Sequence, residues 1–184
     1  MSQEYSVAVV VGSLRKASFN RKVALALAEL APSNLKLNIV EIGDLALYNE
    51  DIDVEPPASY KTFREQIRNS DAVLFVTPEY NRSVPGVLKN AIDVGSRPYG
   101  QSAWSGKPGA VISVSPGAVG GFGANHHLRQ SLVFLDVPCM QQPEAYIGGA
   151  ATLFDDNGKL SEKVRPFLQT FIDTYAEWVA RHQK

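Results

Sequence analysis

Val7-Ala8-Val9-Val10-Val11-Gly12-Ser13-Leu14-Arg15-Lys16-Ala17-Ser18-Phe19-Asn20 is the stretch on which the fold turns. Its β-branched run is apolar on both faces, as a central parallel strand covered by helices on each side must be. The run stops at Gly12, crosses a short loop of hydroxyls and cations, and enters an alanine-rich helical pattern. A strand, an anion-seeking loop and a helix start follow one another. The first turn of such a helix presents unpaired backbone N–H groups and the positive end of its dipole, which suits a phosphate. Ser13 and Ser18 offer hydroxyl donors, Asn20 an amide and Arg15 a charge-assisted contact. The same residue types also serve as helix caps and solvated charges, so this loop by itself leaves both readings open.

Outward from that stretch, the pattern of strand and helix repeats. A helix from Ser18 or Asn20 to Leu30 buries Val23, Leu27 and Leu30; the alternation from Leu35 to Ile42 predicts a second strand nearer an edge. The acidic run Asn49 to Pro57 reads as a solvated loop without chemistry. Ser59 is the expected cap of a helix running through Arg68. A third apolar strand, Ala72 to Val76, ends in the polar loop Thr77 to Gly86, ahead of a helix over residues 87–94. A turn-rich linker, Gly95 to Pro108, leads to a fourth strand at Ala110 to Ser115. That strand ends in the glycine-rich loop Pro116 to Gly123, before a helix from Asn125 to Leu135. A fifth strand is expected at Val137 to Met140, resumed at Ala145 to Ile147. Asp155-Asp156-Asn157-Gly158 reads as a turn, and the last helix starts near Pro166.

Five such alternations without an internal repeat predict an α/β three-layer domain spanning residues 1–184, with a doubly wound parallel sheet ordered 2-1-3-4-5. In that order the ligand crevice opens at the carboxyl ends of the first and third strands, where the winding reverses. Those ends carry two polar loops, and the glycine-rich loop joins them on the same rim. A mononucleotide is the best fit. The dinucleotide fingerprint is missing, because Gly12 is followed by Ser13-Leu14-Arg15 with no second glycine, and no glycine precedes Lys-Ser or Lys-Thr as a P-loop requires. Gly117, Gly120 and Gly121 are expected to let the chain approach a flat ring closely.

Composition narrows the class further. A formal net charge of −1 and 45% apolar residues describe an ordinary globular chain, with no basic excess to suggest nucleic acid or an anionic membrane as partner. No apolar run approaches membrane-spanning length, and the opening Met-Ser-Gln-Glu-Tyr has no signal-like segment. The single cysteine, Cys139, rules out an internal disulfide and points to the reducing cytoplasm. No G-x-S-x-G elbow accompanies it, and its apolar context argues for an inert thiol. His126 and His127 diverge on a helix and make no metal pair. Glu41 reads as a plain strand-end charge.

Gly12-Ser13-Leu14-Arg15 with Ser18-Phe19-Asn20, then Thr77-Pro78-Glu79-Tyr80-Asn81 with Ser83-Val84-Pro85-Gly86 and Leu88-Lys89-Asn90-Ala91-Ile92-Asp93, resemble the NADPH-dependent FMN reductase family, whose members include quinone and chromate reductases. The resemblance spans nearly the whole chain. It implies a flavodoxin-like fold in which Ser13, Arg15, Ser18, Phe19 and Asn20 surround the FMN phosphate. It further implies that Pro78, Glu79, Tyr80, Asn81, Arg82, Ser83, Val84, Pro85 and Gly86 border the ribityl chain and ring, with Ser115 and Gly117 closing the other side. Arg82 departs from the aromatic residue often found there in the quinone and chromate reductase branch. The implied activity is oxidoreduction, with NADPH or NADH giving hydride to bound FMN, which reduces a quinone or another small acceptor, free flavin and oxidised metal ions included. The flavin carries that chemistry, so no protein acid, base, nucleophile or metal is nominated; an N–H near Gly117 is the expected contact to the pyrimidine edge. The alternative is a flavodoxin-type electron carrier without nicotinamide turnover of its own. The family also implies a homodimer, in some members a tetramer. Leu128, Leu132, Val133 and Leu135 are candidates for the subunit contact or for the core, and Arg129 and Glu144 for pairing across subunits or for solvent.

Overall fold

In the computed structural model, which describes residues 3–155 and 158–183, the β-branched run is the buried strand β1, Tyr5–Val11. The other strands are β2 (Leu35–Val40), β3 (Ala72–Thr77), β4 (Gly109–Val114) and β5 (Ala145–Ile147). All pair in parallel, in the order β2-β1-β3-β4-β5. Between them run α1 (Phe19–Leu30), α2 (Ala58–Arg68), α3 (Gly86–Gly95) and α4 (Phe122–Phe134), and α5 (Arg165–His182) follows β5. This is the flavodoxin-like arrangement expected.

Alternation along β1 divides the interior into two cores. Val7, Val9 and Val11 pack with Val23 and Leu27 of α1 and with Leu168, Phe171 and Tyr175 of α5. Ala8 and Val10 face the opposite layer, where Phe63 and Ile67 of α2, Leu88 and Ile92 of α3 and Leu128 and Leu132 of α4 surround Trp104. A strand buried on both faces has no polar position to spare, hence its uninterrupted valines. β2, at the edge, alternates buried and exposed residues. No helix among the described residues is long and apolar enough to cross a membrane.

Four local expectations need correction. The fifth strand does not occupy Val137 to Met140. That segment reaches the sheet through a single bridge between Cys139 and Gly109, with the Pro138 carbonyl accepting from Gly109 N–H, and the regular strand resumes at Ala145. Pro138 has no N–H to extend the ladder, and Pro143 interrupts the chain again. Helix α2 is not capped by Ser59: it starts one residue earlier, with Pro57 at the cap position and no side-chain cap bond. Helix α4 begins at Phe122, three residues ahead of Asn125. The turn expected over residues 155–158 includes two positions outside the described residues.

The fourth correction concerns the acidic loop. Asp53 is not solvated but forms a two-pronged ion pair with Arg64, at 2.7 and 2.9 Å, and the two side chains are only 7% and 4% exposed. Arg64 also donates to the Val94 carbonyl at 2.8 Å, tying the loop to α3 through α2. Asn90 of α3 holds the chain just before this loop, accepting from Tyr48 N–H at 2.8 Å and donating to the Ala46 carbonyl at 2.9 Å. The sequence did carry a sign of this, since Arg64 lies on the inner stripe of α2 with Tyr60, Phe63 and Ile67, where a cation requires a partner. Replacing Asp53 by Asn keeps its shape but strands the guanidinium. Denaturant unfolding of Asp53→Asn should show a loss of about 3–5 kcal/mol, the range for breaking a buried pair; an unchanged midpoint would contradict this assignment.

Candidate functional site

The loops leaving β1, β3 and β4 meet at the carboxyl edge of the sheet. One cleft there is lined by Ser13, Arg15, Ser18, Phe19 and Asn20 from the first loop, Pro78, Glu79 and Tyr80 from the second, and Val114, Ser115 and Pro116 from the third. The close approach begins at Gly12, whose N–H donates to the Val76 carbonyl at 2.9 Å. A Cβ at Gly12 would stand 3.1 Å from Leu88 and 3.2 Å from Pro78, so a side chain would push the first two loops apart.

Ser18 caps α1 by accepting from Arg21 N–H at 3.2 Å, while its own N–H donates to the Arg15 carbonyl. Helix geometry then leaves the Phe19 and Asn20 amides without an intrahelical acceptor. The first turn of α1 contains no acidic side chain to offset the positive end of the dipole. Glu41 is held by Arg21 of α1 at 2.6 Å. Arg15 is exposed, stands with its guanidinium 6.0 Å from the centre of the Phe19 ring, and has no carboxylate partner among the described residues. The α1 end of the cleft therefore carries positive groups with no acid against them.

Asn20 supplies the most specific sign of a ligand. It is buried, its amide donates to the Val114 carbonyl at 3.3 Å, and its Oδ1 is the single buried side-chain nitrogen or oxygen among the described residues without a hydrogen-bond partner. An orphaned acceptor of this kind costs about 1–3 kcal/mol unless a ligand or water hydroxyl reaches it. A sugar-alcohol chain attached to a phosphate offers both the anion and the hydroxyls, so the residues present fit FMN.

The second loop is a tight hairpin. Tyr80 and Ser83 exchange backbone hydrogen bonds at 3.1 and 2.9 Å around Asn81 and Arg82, whose φ values are +50° and +63°. Two successive left-handed residues are the signature of the mirror-image hairpin turn; Asn81 suits it, and Arg82 stands where glycine is preferred. Asn81 and Arg82 are exposed at the hairpin tip and are not brought to the cleft wall. Ser83 and Val84 face a different concavity, a groove of about 580 Å3 between α3 and α4, while Pro85 and Gly86 lead into α3.

The glycine-rich loop packs closely on its neighbours. A Cβ at Gly120 would lie 2.5 Å from the Tyr146 carbonyl carbon, and one at Gly121 3.0 Å from Ser113 Cβ, with φ of +63° and +79°. Both glycines are required by the protein's own packing. Gly117 is exposed at the rim, but its N–H already donates to Ser115 Oγ at 3.2 Å. Among the remaining candidates, His126 meets the Tyr146 hydroxyl at 2.8 Å and His127 the Ser83 hydroxyl at 3.0 Å. Burial pushes the Cys139 thiol above its ordinary pKa, outweighing the nearby Arg129, as an inert sulfur requires. Arg129 is half-buried and donates within the chain, to Asn125 Oδ1 at 2.9 Å and to the Met140 carbonyl at 2.8 Å. Leu128, Leu132 and Leu135 are core, and Val133 is exposed.

Known proteins give this geometry its context. The model of the family described as NADPH-dependent FMN reductase matches residues 5–152. A quinone reductase of Pseudomonas putida is 79% identical over 180 residues, covering 97% of each chain. A 2-hydroxy-1,4-benzoquinone reductase of a Burkholderia species is 53% identical over 174 residues, covering 94% of this chain and 95% of its own. Among solved structures, FerB of Paracoccus denitrificans, a flavoenzyme NAD(P)H:(acceptor) oxidoreductase, superposes with a TM-score of 0.91 at 45% identity, over 97% of this chain and 98% of that one. With the sheet order, the loop convergence and these matches in agreement, the chain belongs to the NADPH-dependent FMN reductase family.

Proposed function

We propose that this protein passes hydride from NADPH or NADH through bound FMN to quinones or comparable small acceptors, acting as a single FMN-binding domain in the reducing cytoplasm. The observation that carries the reading is the cleft where three loops surround an acid-free helix start and an unpaired guanidinium. The relatives named quinone reductases support the choice of acceptor. Bound FMN supplies the two-electron chemistry, and the chain holds and orients it. Arg15, the hydroxyls of Ser13 and Ser18 and the amides of Phe19 and Asn20 hold the phosphate, while Asn20 Oδ1 takes a hydroxyl of the adjoining chain. Pro78, Tyr80, Ser115 and Gly117 stand where the ring would border the open rim.

A second subunit completes this picture. The cleft of one chain holds only about 120 Å3, below the roughly 300–1,000 Å3 of most small-molecule sites, which supports an outer wall from a second subunit. Val133 and Phe134 are 79% and 77% exposed beside the groove between α3 and α4, an apolar pairing suited to a homodimer, with tetramers as a further step.

Three outcomes are expected. Anaerobic addition of NADPH should bleach the flavin absorption band, and a quinone should then sustain NADPH consumption with no added reductase; an unchanged spectrum refutes the enzyme, and bleaching without turnover leaves a flavodoxin-type carrier. Arg15→Ala should weaken FMN binding by about 1.5–3 kcal/mol, the worth of hydrogen bonds to a charged group, and barely affect riboflavin, which lacks the phosphate. Equal losses for both ligands would remove Arg15 from the phosphate site. In light scattering, Phe134→Glu should drop the mass from dimer to monomer, whereas an unchanged dimer would place the interface elsewhere.

A further inference from the structure

Helix α4 begins without a cap of its own. Gly121 occupies the cap position at φ +79° and has no side chain to accept from the first amides. The acceptor comes from 45 residues away: Glu79 Oε2 takes the Ala124 N–H at 3.0 Å. The Glu79 side chain is only 11% exposed, and its other oxygen meets Arg82 Nη1 at 3.4 Å across the hairpin. Gly123 completes the fit, because a Cβ there would lie 2.9 Å from Glu79 Oε2 and 2.8 Å from the Arg82 carbonyl oxygen. One turn further, His127 fastens Ser83 at 3.0 Å. The hairpin of the second loop thus rests on the opening turns of α4.

We infer that Glu79 is a positioning residue of the flavin cleft, which sets the distance between two of its walls by acting through α4. It belongs to one wall, beside Pro78 and Tyr80. The helix it caps is the continuation of the other, since the chain from Ser115 and Pro116 runs through Gly121 directly into α4. A buried carboxylate on a helix N-terminus gains from both the hydrogen bond and the dipole, so it resists displacement. This inference rests on the reading that the cleft holds flavin, and it assigns Glu79 a role different from that of Arg15: Arg15 answers to the phosphate, Glu79 to the spacing that any flavin requires.

The test is a titration of the full-length protein, freed of flavin, with FMN and with riboflavin, followed by flavin fluorescence alongside thermal unfolding. Glu79→Ala should weaken both ligands by about tenfold and by the same factor, the loss expected for a hydrogen bond made to an ionised group. Glu79→Gln, which keeps an acceptor oxygen, should lose less, and Gly123→Ala should reproduce the Glu79→Ala defect from the opposite side of the contact. A lowered melting temperature with both affinities unchanged would make Glu79 a helix cap alone and overturn the inference, as would a loss confined to FMN. If the wild-type protein binds neither ligand, the site reading falls with it; if it binds both and the variants bind equally well, only the role of Glu79 falls.

Discussion

The parallel pairing of β1 with β3, closed by the contact at Gly12, is the constraint from which the rest follows. Because β1 is buried on both faces, its carboxyl end can be followed only by a loop that turns over the rim and a helix that lies back against the sheet. Pairing with β3 on one side and β2 on the other makes this the point where the winding reverses, so the helices flanking the two loops depart to opposite faces. The resulting crevice is a product of topology. What the loops add is chemical: a helix start with no acid in its first turn, an arginine with no carboxylate of its own, and a buried amide oxygen awaiting a donor.

Electrostatics and packing divide the labour in this arrangement. Carboxylates close to the cleft are committed elsewhere, Glu41 to Arg21 and Glu79 to the α4 terminus, so the α1 end of the cleft keeps its positive groups uncompensated although the chain as a whole carries a charge of −1. Glycines provide the closeness. Gly12 admits Pro78 and Leu88, Gly120 admits the Tyr146 backbone, and Gly123 admits Glu79 and the Arg82 carbonyl. Each lets two segments touch that a methyl group would separate.

The sequence made the central strands, the sheet order and the three convergent loops legible because each rests on local periodicity: apolar runs for buried strands, 3.6-residue stripes for helices, and polar loops at strand ends. What escaped it depends on contacts between distant segments. Asp53 looked like one charge in an acidic run, and only Arg64, eleven residues on and inward-facing, makes it a buried partner. Helix α4 seemed to need Asn125 at its start because its actual cap, Glu79, is on another loop. Gly120 and Gly121 were legible as special, but the neighbours that crowd a side chain there, the Tyr146 backbone and Ser113, were not. The stretch Ser83 to Gly86 continues the second loop yet turns away toward α3, a change of direction created by two positive φ angles that the residue names Asn81 and Arg82 only half suggest.

The account stands or falls on where FMN sits. A crystal structure of the protein with FMN bound is the most direct measurement. It should show the phosphate at the first turn of α1 within hydrogen-bond reach of Arg15 and the Phe19 and Asn20 amides, a ligand hydroxyl on Asn20 Oδ1, and the ring between Tyr80 and Gly117. Density for the flavin in the groove between α3 and α4, with the α1 terminus holding only water, would contradict it.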